Sequence, residues 1–403
     1  MKHKNMKKIA ILTLLSPAFA YAGSPSPEIA SPPAAAYWIT PTLDIRARYE
    51  FAEVNKLDPS HAFTFRERLG LKTQEWNGFS AFIEGEFTQA VVDDFDGGSV
   101  GVTPSNTKNS PIADPETNEL NQGFIQYKGF DTVFKLGRQR IIYDNAAFIG
   151  NVGWRQNEQT YDAFSLSNTS IPGLTVQYAY VNQVNRIFGS DATVFGQDLG
   201  ANINLLNLAY TGVTGYTFGG YAYLMDFEAN NAFDSDSFGA YAKTKQFGLD
   251  LYGELAFQND AGAAGNDDSW YAHTTAAKTF GTQTVTLGME HLSAGFRTPL
   301  ATLHAFNGFA DAFVGQRANG TTGGLTDLYA SHSMPIFWGI KWTNTLHAYG
   351  DNAISADRGW EVNSVLAKKF DDHLLAIAKL AHFETEGALP TTTRLSLELN
   401  YTF

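Results

Sequence analysis

Apolar and polar residues alternate along much of this chain with a period of two. The clearest case is its end, Thr391-Thr-Thr-Arg-Leu-Ser-Leu-Glu-Leu-Asn-Tyr-Thr-Phe403, with Leu395, Leu397, Leu399, Tyr401 and Phe403 on one face and Arg394, Ser396, Glu398, Asn400 and Thr402 on the other. A strand sends successive side chains to opposite faces, so the segment predicts one greasy and one wet side. Leu43-Asp-Ile-Arg-Ala-Arg-Tyr-Glu-Phe51 repeats the pattern, as do Leu174–Tyr180, Leu249–Phe257 and Thr284–Met289. Eighteen such segments are expected, centred near residues 47, 68, 83, 124, 135, 163, 178, 206, 222, 241, 252, 274, 287, 329, 345, 364, 378 and 397. Sixteen is the alternative if one weak pair is loop.

The connectors alternate in length. Short ones include Trp76-Asn-Gly, Gly129-Phe-Asp, Phe280-Gly-Thr and Phe370-Asp-Asp-His; long ones include Gln89–Glu119, Arg140–Glu158, Gln183–Asp198 and Ala294–Gly324. Short turns on one side, long loops on the other and an even strand count predict an all-β fold: a transmembrane antiparallel up-and-down β-barrel with periplasmic turns and extracellular loops. The terminal aromatic residue resembles the closing strand of bacterial outer-membrane barrels. Trp76, Phe79, Phe130, Phe280, Phe337, Trp338 and Phe370 gather at the short turns, where an interfacial girdle belongs. Eighteen strands leave room for an aqueous lumen.

The start of the chain agrees. Lys2, Lys4, Lys7 and Lys8 precede a short apolar stretch and Ala20-Tyr21-Ala22, so residues 1–22 read as a secretory signal peptide. Residues 23–41, with Pro25, Pro27, Pro32 and Pro33, read as a periplasmic lead-in, and residues 42–403 as the barrel. Without the signal, 24 basic residues face 41 acidic ones, a net charge of −17. Cysteine is absent, which excludes disulfides and thiolate metal sites.

No phosphate-cradling glycine loop, nucleophile elbow or His-Glu-x-x-His motif is written, so an enzyme is not expected. No cofactor is expected either. Asp93, Asp94 and Asp96 form a candidate Ca²⁺ group, but without an EF-hand pattern. The informative residues are arginines on wet strand positions: Arg46 and Arg48 on the first strand, Arg66 and Arg68 on the second, with Glu84 and Glu86 inward on the third. Two readings stand together, an Arg–Glu ladder that stiffens the wall and a positive strip that selects anions. Glu67 falls on the nominal lipid face. The block Lys135–Ala163 carries Arg138, Arg140, Trp154, Arg155 and Asp162, and its polar middle could fold inward and narrow the channel. Arg140–Glu158 and Ala294–Gly324 are the loops expected to gate. Among the histidines, His304 and His332 are the ones to watch.

That block, Ile45–Phe51, Phe65-Arg-Glu-Arg-Leu-Gly70 and Thr298–Asp311 resemble the bacterial alginate-export family of outer-membrane barrels. The resemblance runs from about residue 42 to Phe403. It implies a monomeric barrel of eighteen strands whose arginine-rich lumen passes an anionic polyuronate. By position, Arg46, Arg48, Arg66, Arg68, Arg138 and Arg155 match the family's lumen-facing basic residues, and Asp162 an acid of the conducting path. The expected function is passive passage of anions, foremost export of an alginate-like polysaccharide. The alternatives are an uptake porin and a receptor or structural barrel without conductance. The expected partners are outer-membrane lipid and lipopolysaccharide, the barrel assembly machinery and the anionic solute, with no nucleic acid. The expected location is the bacterial outer membrane.

Overall fold

The computed structural model describes residues 38–193, 196–228, 231–259, 268–320, 323–351 and 357–403. The signal peptide and nearly all of the lead-in lie outside them. Eighteen strands run in order: β1 (Ile39–Val54), β2 (Ser60–Thr73), β3 (Phe79–Asp94), β4 (Thr117–Gly129), β5 (Thr132–Gln139), β6 (Thr160–Asn168), β7 (Leu174–Asn185), β8 (Leu199–Tyr210), β9 (Tyr216–Phe227), β10 (Ser235–Gln246), β11 (Leu249–Asn259), β12 (Ser269–Phe280), β13 (Gln283–Leu292), β14 (Leu325–Pro335), β15 (Lys341–Gly350), β16 (Gly359–Lys369), β17 (Leu374–Thr385) and β18 (Thr392–Thr402). Each pairs antiparallel with its sequence neighbours, and β1 closes onto β18. All eighteen expected centres fall inside strands, and the sixteen-strand alternative falls away. A closed sheet leaves no unpaired edge, which is what lets strands cross a bilayer.

The lead-in is shorter than expected, because β1 begins at Ile39 and includes Pro41. Proline is tolerated there because the C-terminal segment bonds to β1 only from Leu43 onward, so at Pro41 only the β2 side of the ladder is occupied.

The period-two pattern sets the faces. On β18, Thr392, Arg394, Ser396 and Glu398 are buried inward while Leu397, Leu399 and Tyr401 are exposed outward. Glu67 is exposed between Phe65 and Leu69 on the outer face of β2, where the alternation put it. The short turns use consecutive left-handed residues, Asn77-Gly78 (φ 50° and 85°), Phe130-Asp131 (φ 57° and 52°) and Phe247-Gly248 (φ 55° and 72°). Such pairs match the right-handed twist of the strands they join. Phe130 and Phe247 take this conformation with almost fully exposed rings, at the girdle predicted from the turn aromatics.

The lumen is not empty. The third outer loop (residues 140–159) and the described part of the seventh (residues 293–320) fold into it. Ile141, Tyr143, Phe148 and Ile149 of the third pack with Phe296, Leu300 and Phe306 of the seventh against Tyr221, Tyr223 and Tyr271 of the wall. Ala310 and Phe313, the latter just before a short helix α1 (Val314–Asn319), pack on Leu325, Tyr349, Ala381 and Phe383. Both loops were expected to be the moving parts, and both are inside. At Gly308 (φ +87°) the backbone lies so close to the wall that a Cβ would sit 2.3 Å from the Glu361 carboxylate.

An outward leucine at mid-strand tests the orientation. Leu287→Arg, on the apolar outer face of β13, is expected to lower unfolding free energy by about 2–4 kcal/mol in urea titrations of liposome-embedded protein.

Candidate functional site: an arginine lattice in the lumen

Closure of the barrel brings three arginine-bearing strands together. In the β1–β2 register Arg46 opposes Arg66 and Asp44 opposes Arg68; in the β1–β18 register Arg48 opposes Glu398 and Ala52 opposes Arg394. Directly opposed like charges destabilise a sheet, so each guanidinium needs an answering anion. Arg46 donates from Nε to Asn400 Oδ1 (2.6 Å) and from Nη1 to the carbonyls of Gly153, Trp154 and Arg155 (3.1, 3.1 and 2.9 Å). It therefore holds the tip of the third loop by its backbone. Arg48 meets Asp114 at 2.9 Å and Glu398 at 3.3 Å. Arg66 pairs with Asp44, and Arg68 with Glu86 and, at 3.6 Å, with Glu158.

The third loop adds its own charges. Arg155 reaches Glu50 at 3.2 Å and Asp311 of the seventh loop at 2.7 Å. Arg140 grips Glu158, its Nε at 2.7 Å from Oε2. Its side chain, 25% accessible, is the most open of the lumen arginines among those expected at the site. Glu84 accepts from Asn121 (2.8 Å) and Gln122 (2.9 Å). The first reading of the strip as an Arg–Glu ladder therefore describes most of its contacts. Unused donors remain on the buried arginines: Nε and Nη1 of Arg66, Nη2 of Arg68 and Nε of Arg48 have no partner among the described residues. The lattice keeps hydrogen-bonding capacity that an anion, a polar solute or water could take up.

Two expected site residues are elsewhere. Arg138 and Asp162 pair with each other, at 2.7 and 3.1 Å, on the outer face of the barrel. Leu136, two residues before Arg138, is 64% exposed, whereas Gln139 and Tyr161, their immediate neighbours, are buried on the lumen side. The irregular backbone at Gly137 (φ +122°) leaves this alternation intact through Gln139, as the β5–β6 register shows. The pair sits at the ends of two short strands and does not line the lumen. Asp94 accepts from Asn109 and Asp96 from the Gly98 amide, and no group of three or more His, Cys, Asp or Glu able to hold a metal ion occurs among the described residues.

Solved structures resemble this one across its length. OpdK, an outer-membrane protein of Pseudomonas aeruginosa, superposes with a TM-score of 0.68 at 14% identity, covering 90% of this chain and 98% of its own. OccAB3 of Acinetobacter baumannii gives 0.67 at 15% identity, covering 91% and 99%. OpdK in a crystal with vanillate gives 0.67 at 13% identity, covering 90% and 98%. The fold is that of an outer-membrane porin. The apolar outer band and closed sheet lodge it in the bacterial outer membrane. No family model and no curated relative matches the sequence, so the alginate-export resemblance gains no support there.

Sequence reasoning missed several members of the lattice. Arg394 donates to Glu50 (3.1 Å) and to the Ala310 carbonyl (2.9 Å). Its place on the wet face of the last strand was visible, but its nearness to β1 needs barrel closure. Asp114 and Asp311 come from loops whose path no periodicity reveals. His304, singled out only as worth watching, stacks on Trp154 with ring centroids 3.9 Å apart and an interplanar angle of 6°. Its Nδ1 lies 2.7 Å from Asp311, and Lys379 Nζ approaches its Nε2 at 3.4 Å. Lys379 and Arg48 also sit over the Trp154 ring, at 3.6 and 4.1 Å. Burial pushes the His304 pKa down to about 3, with Asp311 opposing and Lys379 adding to the fall. Burial pushes the Asp311 carboxyl up, but His304, Arg155 and Arg394 together hold it well below the usual carboxylate range.

Two outcomes follow. Glu50→Gln leaves Arg155 and Arg394 short of a buried anion and is expected to cost about 3–5 kcal/mol in denaturant titrations. A depressed histidine pKa means the unfolded loop takes up the proton first. The His304 contribution is thus complete above its ordinary value of 6.5 and is lost as pH falls towards about 3. Thermal unfolding followed by gel mobility should weaken across that window, and His304→Gln should flatten the dependence.

Proposed function

We propose that this barrel is an uptake channel for small anionic solutes, with carboxylates recognised by the arginines of β1, β2 and β18 and of the third loop. The observation that carries the reading is Arg66, a buried guanidinium flanked by Arg46 and Arg68 with two of its three nitrogens unpartnered among the described residues. A planar guanidinium matches a carboxylate bidentately, and several weak sites in series allow both binding and release. The crystal of OpdK with vanillate, an aromatic carboxylate, supports the same solute class for a barrel of this shape. Such a channel supplies no energy; flux follows the solute gradient.

Small solutes are favoured over a polyuronate by the packing of the lumen. A polymer needs a continuous bore, whereas two loops here fill the barrel with apolar side chains and bring their charged tips onto the arginines. That makes the uptake alternative the better reading and sets alginate export behind it. The acids of this strip, Asp44, Glu50, Glu86 and Glu398 of the wall and Asp114, Glu158 and Asp311 of the loops, are all engaged with its arginines.

Purified protein in a planar bilayer under a KCl gradient is expected to show an anion-selective reversal potential. Arg66→Ser with Arg140→Ser should shift it towards zero. A cation-selective potential unaffected by these substitutions, or no conductance at all, would overturn the reading.

A further inference from the structure

The arginines that should receive the solute are sealed from it. Arg66 is 0% exposed, and Arg48 and Arg68 are 1% exposed. What covers them is partly the protein's own carboxylates, carried on three separate outer loops. Asp114 of the second loop (residues 95–116) meets Arg48 at 2.9 Å. Glu158 of the third meets Arg140 and, at 3.6 Å, Arg68. Asp311 of the seventh meets Arg155 at 2.7 Å and Arg394 at 3.9 Å.

We propose that the channel is gated by its own cargo: the loop carboxylates act as resident stand-ins for substrate, and an incoming carboxylate opens the lumen by taking their place. This rests on the reading of the barrel as an anion channel. The physical argument concerns what each kind of solute can do. Pulling Asp311 away without replacement leaves Arg155 and Arg394 as buried, under-paired charges, which is strongly unfavourable. A carboxylate that exchanges for Asp311 keeps each guanidinium paired at both ends of the step. A neutral or cationic solute offers no such exchange.

The backbone marks where the movement is stored. Val152 sits at φ 53°, a conformation that a β-branched residue scarcely ever adopts, two residues from the Trp154 stack. In the seventh loop Asn307 (φ 57°) and the contact residue Asp311 itself (φ 60°) are also left-handed. Strain of this kind persists where the surrounding contacts over-determine it, and is a feature of switch segments. His304 and Asp311 lie on the same loop and pair with each other, so they leave together.

The test is single-channel recording with benzoate, benzyl alcohol and benzylammonium, which match in size and differ in charge. Benzoate is expected to raise the open probability about tenfold, and the other two to leave it unchanged. Asp311→Asn should be open without solute and respond little to benzoate. Asp311→Glu, which keeps the carboxylate, should keep the benzoate response, with gel mobility confirming that both variants are folded barrels. Equal responses to all three solutes, or an Asp311→Asn variant that stays closed and opens with benzoate as the unaltered chain does, would overturn the gating. If the channel is anion-selective but does not respond, the gate alone fails; if it is cation-selective, the functional reading fails with it.

Discussion

Everything in this molecule bends around the need to pair arginines that a closed sheet has forced together. The β1–β2 register sets Arg46 against Arg66, and closure onto β18 adds Arg394 nearby. Buried guanidinium groups in a low-dielectric wall repel one another and are costly without partners. Asp44, Glu50, Glu86 and Glu398 meet part of that demand from the wall itself. The remainder comes from the loops. The inward fold of the third and seventh loops is therefore an electrostatic requirement of the wall as much as a packing choice of the loops.

The same requirement explains the apolar half of the lumen. A loop that carries Arg155 to Glu50 and Asp311 must cross the barrel, and its backbone polar groups leave water as it does so. Arg46 takes up three of its carbonyls, Gln159 and Tyr161 take up that of Gly150, and Gln156 donates to Thr64. Its far side is covered by Phe148 and Ile149 against the tyrosines of β9 and β12. Polar anchoring on one wall and apolar packing on the other hold the loop in a single position. The residues that would favour an anion are thus also the residues that keep the resting lumen packed.

The barrel itself was legible because its signal is local. Alternation along β1, β2 and β18 fixed which residues face water, and the connector lengths fixed which end is which. Even Glu67 lies on the face the alternation assigned to it. Arg46, Arg48, Arg66 and Arg68 were found for the same reason. Arg138 and Asp162 were misplaced because the polar block around them was read as one inward unit, although β5 continues its alternation up to Gln139. Asp114, Asp311 and Lys379 could not be found by period or spacing. Their contacts join residues that the chain separates by long loops, and only closure of the sheet and inward folding of the loops bring them to the arginines. The alginate-export resemblance pointed to an arginine-rich lumen, which is there, and to a polymer, which the packed interior disfavours.

The central claim is that, among small solutes of like size, charge decides what passes. Uptake of radiolabelled benzoate, benzyl alcohol and benzylammonium into proteoliposomes measures this most directly, with the background flux through protein-free liposomes subtracted. The account predicts that benzoate has the largest protein-dependent rate and that Arg66→Ser lowers it towards that of the other two. Equal protein-dependent rates for the three solutes, or fastest passage of benzylammonium, would contradict it.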